Sequence, residues 1–207
     1  MKTGRIPPDF LGFLVRLSVA CAANDPRRMR RELGALRRHP AWTRAAFEAV
    51  LEVHLFAGFP ATIEGLTALH AAVPRVRGVR SKAVGSPGLR RRGERLCRLI
   101  YGHRYGALVR TMERLHPDFS SWILAYGYGT VLARPGLSPA LRELVAVAVL
   151  AAGGWERQLR SHLQGALNAG ASRGEILQAV RTAARLGGLA RAMPGLAKTA
   201  LESAREA

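Results

Sequence analysis

The sequence predicts an all-α protein. Three observations carry this: apolar residues recur at helical spacing through most of the 207 residues, capping and breaking residues punctuate them, and no stretch alternates like a strand. A hydrophobic content of 48% with few aromatics and abundant Ala, Leu and Arg fits the same class. The length allows one large or two small domains, with ample core in either case.

The elements follow in order. Residues 10–23, 26–38 and 43–56 read as three helices, the second opened by Pro26. Ala57-Gly-Phe-Pro60 breaks the third, and residues 62–72 form a fourth. Residues 74–93 mix Gly, Pro and basic side chains, and their turn signals predict a linker rather than one long helix. Residues 101–115 are helical again, and Pro117-Asp118 starts a segment ending near Arg134-Pro-Gly136. Ser138 then caps a helix with Pro139 at its first position, where a missing N–H costs nothing. From Leu141 to Ala152 that helix is apolar nearly all round and therefore buried, and Gly153-Gly154 stops it. A helix over 156–169 follows, with Gly170 suited to its C-terminal cap. Ser172-Arg-Gly-Glu175 is a capping box opening another, whose Ile176, Leu177, Val180, Ala183 and Ala184 make an inward stripe. Gly187-Gly188 and Pro194 set off a short terminal helix.

Sliding the chain against itself by 130 positions aligns its ends without a gap. Leu11, Leu14, Val15 and Val19 fall on Leu141, Leu144, Val145 and Val149, and Arg27, Arg30 and Leu33 on Arg157, Arg160 and Leu163. The expected architecture is two copies of one helical unit packed together. Residues 1–73 form a degenerate N-terminal repeat, 74–118 a basic linker and connecting helix, and 119–207 a C-terminal repeat with the polar motif described below.

A net charge of +18 raises the question of nucleic acid. Between Arg75 and Arg114 stand twelve basic residues against two acids, which reads first as a solvated basic face and second as a polyanion site. Cys21 and Cys97 match no metal or redox spacing, and a reduced, cytoplasmic setting is expected. The N-terminus imitates a signal peptide, but Pro7-Pro8-Asp9 interrupts its entry and Arg16 splits its apolar run. The uncharged run 144–155 is too short to span a bilayer, so no membrane association is expected.

Within this frame Glu143 is the only charged side chain from 143 to 155. Gln158 and His162, four apart, share a helix face with Leu159, Leu163 and Ala166, the side expected to face the core. A Glu, a Gln and a His turned inward form either a satisfied polar network or a small active site. The other histidines, His39, His70, His103 and His116, carry no partner signal and read as surface or turn residues. Trp122, Tyr126 and Tyr128 read as core or interface aromatics.

Arg134-Pro-Gly-Leu137, Leu141-Arg-Glu-Leu-Val145, Gln158-Leu-Arg-Ser-His162 and Gly165-Ala-Leu-Asn168 occur in an order that resembles the carboxymuconolactone decarboxylase family. The resemblance is good over 119–184 and weaker over 10–69, where His54-Leu-Phe-Ala-Gly-Phe-Pro60 also resembles it. One branch of that family holds lactone decarboxylases; the other, alkyl hydroperoxidase D-like, uses a CxxC pair served by a Glu and a His. The resemblance puts the relay pair at Glu143 and His162 but the thiols at Trp155 and Gln158, so dithiol peroxidase chemistry is disfavoured.

What the resemblance implies is a cofactor-free, metal-free acid/base enzyme acting on a small carboxylated lactone or related acid. His162 would be the general acid/base, because imidazole titrates near neutral pH. Glu143 would keep its own proton or fix His162 in one tautomer, and Gln158 would orient substrate or bond an enolate oxygen. Arg134 and Arg160 are candidate forks for substrate carboxylates. In the first copy Phe13, Arg28 and Glu32 replace the three polar residues, while His54 has Ala184 as its counterpart. One composite site per chain is therefore expected, with His54 joining Glu143, Gln158 and His162. Members of the family form rings, which implies a homo-oligomer, a trimer before a dimer. The alternatives are a peroxide-linked member without its thiols and a non-enzymatic protein binding a polyanion.

Overall fold

The computed structural model describes residues 6–80, 85–186 and 193–203, and among them there is no strand. Two apolar helices, α1 (Pro8–Ala22) and α8 (Pro139–Gly153), occupy the centre. A helix that is apolar all round must be covered on every side, and the rest of the chain does this. Leu11, Val15 and Val19 of α1 pack with α8, α9 (Glu156–Asn168), α10 (Arg173–Arg185) and α11 (Met193–Ser203). Phe13, Leu14, Leu17 and Cys21, on the other side of α1, pack with α2 (Pro26–Leu33), α3 (Thr43–Glu52) and α4 (His54–Ala72). Val145 and Val149 of α8 enter this second core, so α8 also serves both. Arg16, mid-helix in α1, is neutralised by Glu32 at 2.7 Å. The run that imitates a signal peptide is thus the central core helix.

A third, smaller core joins α5 (Ser86–Tyr101), α6 (Tyr105–Leu115) and a π-helix, Ile123–Leu132, which continues from α7 (Phe119–Trp122). Here the expectation for residues 74–93 is corrected. Helix α5 already starts at Ser86, because Pro87 fits its first turn and Gly93 serves contact rather than a turn. A Cβ on Gly93 would stand 1.8 Å from the Leu124 carbonyl oxygen, and one on Gly129 2.2 Å from that of Leu89. The two backbones touch at these glycines. The wide π-helical turns leave the Gly129 carbonyl to accept from Arg92 at 2.7 Å. Gly93→Ala is expected to force the helices apart at a cost of about 1–3 kcal/mol. A urea midpoint equal to wild type would refute so close a crossing.

The caps read from the sequence are present. Ser138 accepts from the Leu141 N–H at 3.3 Å, and Ser172 and Glu175 form the reciprocal capping box. One boundary differs: residues 43–56 are not a single helix. Helix α3 ends at Glu52 and α4 starts at His54, the two axes bending by 117°. The Ala57–Pro60 break is a kink within α4, where Gly58 takes φ +85°. Gly187 and Gly188 lie outside the described residues, on either side of which α10 ends and α11 begins. Among the described residues no single helix is long and apolar enough to cross a membrane.

Candidate active site

Helices α8 and α9 are antiparallel neighbours joined by the tight Gly153-Gly154 turn, and this brings their inward faces together. Glu143, on α8, is 1% exposed, and His162, on α9 between Leu159 and Leu163, is 7% exposed. His162 Nδ1 lies 2.8 Å from Glu143 Oε2. With Nδ1–H donating to the carboxylate, the tautomer is set and Nε2 keeps its lone pair for proton transfer. Gly165 makes this possible, because a Cβ there would stand 2.6 Å from Glu143 Oε2. The edge of Phe56, from α4, packs on the His162 ring at 5.5 Å and 87°. The first half of the chain therefore supplies an apolar wall to the pair.

Other buried groups surround Glu143. Tyr128 donates to the Tyr101 hydroxyl at 3.0 Å. Burial raises both phenols above their ordinary range, and the charge of Glu143 adds to the effect. Burial also pushes the Cys97 thiol up to about 12, with Glu143 adding again. These neighbours stay protonated at neutral pH.

Beside the pair lies a cluster that the sequence analysis passed over. Arg142, 1% exposed, donates to Glu48 at 2.8 Å, to Glu52 at 2.7 Å and to the Arg134 carbonyl at 3.0 Å. Arg134 forks onto Glu48 at 2.9 and 2.8 Å. Glu48 and Glu52, four apart on the inward side of an apolar helix, were the available signal, together with an arginine inside an otherwise hydrocarbon helix. The cluster joins α3 to α8 and so ties the two halves of the chain. Burial would raise the Glu48 carboxyl, but its bonds to Arg134 and Arg142 outweigh that and hold it below 4.5. Burial raises Glu52 to about 8 against the pull of Arg142, and the charge of nearby Glu143 works in the same direction as burial.

The two carboxyls set opposite pH dependences. A carboxyl raised in the folded state stabilises most below its unfolded value, and that contribution is lost as pH climbs through its folded value. Glu52 therefore costs stability between about pH 4.5 and pH 8. Glu48, held down, contributes above pH 4.5 and loses that contribution on acidification. Glu52→Gln is expected to flatten the fall in unfolding free energy between pH 5 and pH 8. An unchanged slope in urea titrations would contradict this.

The remaining predicted site residues fall elsewhere. Gln158 is exposed, a correction to its inward placement. The buried stripe of α9 is Leu159, His162, Leu163 and Ala166, and Gln158 stands one residue outside it. His54 donates through Nδ1 to the Leu51 carbonyl, accepts from the Tyr126 hydroxyl at 2.8 Å, and stacks on Phe59. No hydrogen bond or ring contact joins it to His162; Phe56, two residues on, makes that contact instead. Arg134 is committed to Glu48, and Arg160 is exposed on α9. Trp122 and Tyr126 are exposed, Tyr128 buried. Part of the basic segment is engaged internally: Arg90 pairs with Glu94 at 3.0 Å, and Arg98 lies over the Tyr105 ring. Among the described residues no group of three His, Cys, Asp or Glu is placed to hold a metal.

Comparison with known proteins points to the same part of the chain. Residues 117–201, which contain Glu143 and His162, match the carboxymuconolactone decarboxylase family. A 4-carboxymuconolactone decarboxylase of Acinetobacter baylyi is 38% identical over 74 residues, covering 34% of this chain and 55% of that protein. Peroxisomal protein 2 of Schizosaccharomyces pombe is 29% identical over 135 residues, covering 64% of this chain and 63% of that protein. The chain thus spans from 55% to 63% of the length of these two curated relatives.

Proposed function

We propose, from the match of residues 117–201 to the carboxymuconolactone decarboxylase family, that Glu143 and His162 form the acid/base centre of a cofactor-free enzyme. The reaction is decarboxylation or isomerisation of a small carboxylated lactone or related acid. The observation that carries this reading is the buried 2.8 Å contact between Glu143 Oε2 and His162 Nδ1. In such a reaction the bond to the departing carboxylate breaks, carbon dioxide leaves, and the electron pair spreads into the lactone as a dienolate. Protonated His162 then delivers its Nε2 proton to carbon, while Glu143 holds the ring and balances the imidazolium charge. Gln158, exposed on α9, would orient an incoming acid or bond the enolate oxygen. Arg134 is not assigned a substrate role, since Glu48 already fills its fork. The test is release of carbon dioxide from carboxymuconolactone by purified protein; no turnover of this or related lactone acids would overturn the assignment.

A peroxide-linked function is less well supported. Burial pushes both thiols up to about 12, and Cys21 donates to the Ala61 carbonyl at 2.9 Å rather than facing a site. Replacing both cysteines by Ala is expected to leave turnover within about twofold of wild type, since a thiol without thiolate character is a poor nucleophile. A larger loss, in a variant that still folds, would return thiol chemistry to consideration.

The two-copy organisation and a homo-oligomeric, cytoplasmic state belong to the same proposal. Duplication is supported by spacing: α8, α9 and α10 begin at residues 139, 156 and 173, against 8, 26 and 43 for α1, α2 and α3.

A further inference from the structure

The basic residues of the central segment and of α9 meet at one place away from His162. A groove of about 660 Å³ runs between the C-terminal end of α5, the 3-10 turn Gly102–Arg104, α9 and α11. His103, Arg104 and Arg160 line it, and among the described residues no Asp or Glu does. Arg104 and Arg160 are exposed and form no ion pair among the described residues. Two guanidinium groups without carboxylates therefore face one concavity, and an oxyanion would complete them.

The walls are not polar throughout. Leu99, Leu163, Leu167 and Leu201 line the same groove, so it offers hydrocarbon beside the cations. Its two long sides are also fixed relative to each other. Asn168 donates to the Ile100 carbonyl at 2.7 Å and accepts from Gln164 at 3.0 Å, tying α9 to the end of α5. Arg173 donates to the Leu201 carbonyl, which holds α11 in place. The size suits a small organic ligand and is far from the flat, extended surface that a duplex needs.

We propose that this groove binds an amphipathic organic anion, a carboxylate or phosphate head on a hydrocarbon body. The head would sit between Arg104 and Arg160, and the body against Leu163 and Leu167. Neither Glu143 nor His162 lines the groove. Arg160 accordingly holds an anion here and not at the acid/base pair. The site does not depend on the reaction assigned above.

Titration calorimetry on the full chain tests this with octanoate, octyl phosphate and octanol. Octanoate and octyl phosphate are expected to bind, and octanol at least about tenfold more weakly, because each charge-assisted bond contributes on that scale. Arg104→Gln and Arg160→Gln, both surface changes that should fold, are each expected to weaken octanoate about tenfold. His162→Asn should leave octanoate binding unchanged; its loss there would mean that the anion sits at the acid/base pair, which overturns a separate groove. Equal binding of octanol would remove the charge recognition. Vesicles of phosphatidylcholine with and without phosphatidylglycerol distinguish a soluble anion from a lipid headgroup. Anion-dependent vesicle binding without octanoate binding would overturn the small-ligand site, as would displacement of octanoate by a short DNA duplex at the same two arginines.

Discussion

Arg142→Met is expected to destabilise the fold by about 3–5 kcal/mol, the scale of losing one partner from a buried ion pair. Arg142 is 1% exposed and bridges Glu48 and Glu52 at 2.8 and 2.7 Å. Removing it leaves Glu52, 0% exposed, without a cation, while Glu48 keeps Arg134. The comparison that isolates this effect is Arg142→Met combined with Glu52→Leu. Replacing both partners by apolar groups removes the stranded carboxyl, and the double variant should recover most of the loss. Urea unfolding of the three proteins reads the result directly. A single variant within 1 kcal/mol of wild type would mean that the cluster does not join α3 to α8. The penalty should also be smaller at pH 5 than at pH 8, since a protonated Glu52 no longer needs a cation.

The second large effect concerns chemistry. If the Glu143–His162 pair carries the proton, His162→Asn should lower turnover by about 10²–10⁴, the usual contribution of a positioned acid/base. Glu143→Gln is subtler. The amide can still meet Nδ1 at the same place, but it no longer balances an imidazolium, and it can favour the wrong tautomer. Turnover should fall in both variants when each is assayed where it remains folded. Normal turnover in folded His162→Asn would remove the pair from the mechanism.

The site was legible in the sequence only in part. Glu143 and His162 stood out because polar side chains in hydrocarbon helices need partners, and the fold supplies each with the other. Gln158 shows the limit of face arguments. It shares i, i+4 spacing with His162, yet it sits at the edge of a stripe whose width only the packing of neighbouring helices sets. His54 shows a second limit. The sequence marks a histidine before a break, but the bend between α3 and α4 turns it to Tyr126 and gives the contact with His162 to Phe56. Arg142 was missed because a window of hydrophobicity averages one arginine away. Its partners, Glu48 and Glu52, lie 94 and 90 positions earlier in the chain.

The sequence by itself determined the helical class, the caps at Ser138 and Ser172, the two largely apolar central helices and the inward placement of Glu143 and His162. These are local consequences of periodicity, capping chemistry and the cost of burying polar groups. Tertiary structure alone decided that α5 begins at Ser86, that residues 123–132 wind as a π-helix against Gly93, that a four-residue ion cluster joins the halves, and that Arg104 and Arg160 share a groove. Each of these depends on which backbone or charge arrives from a distant part of the chain. A local pattern sets the conformations a segment can adopt; long-range contact selects among them, because only there are close approach and charge neutralisation settled.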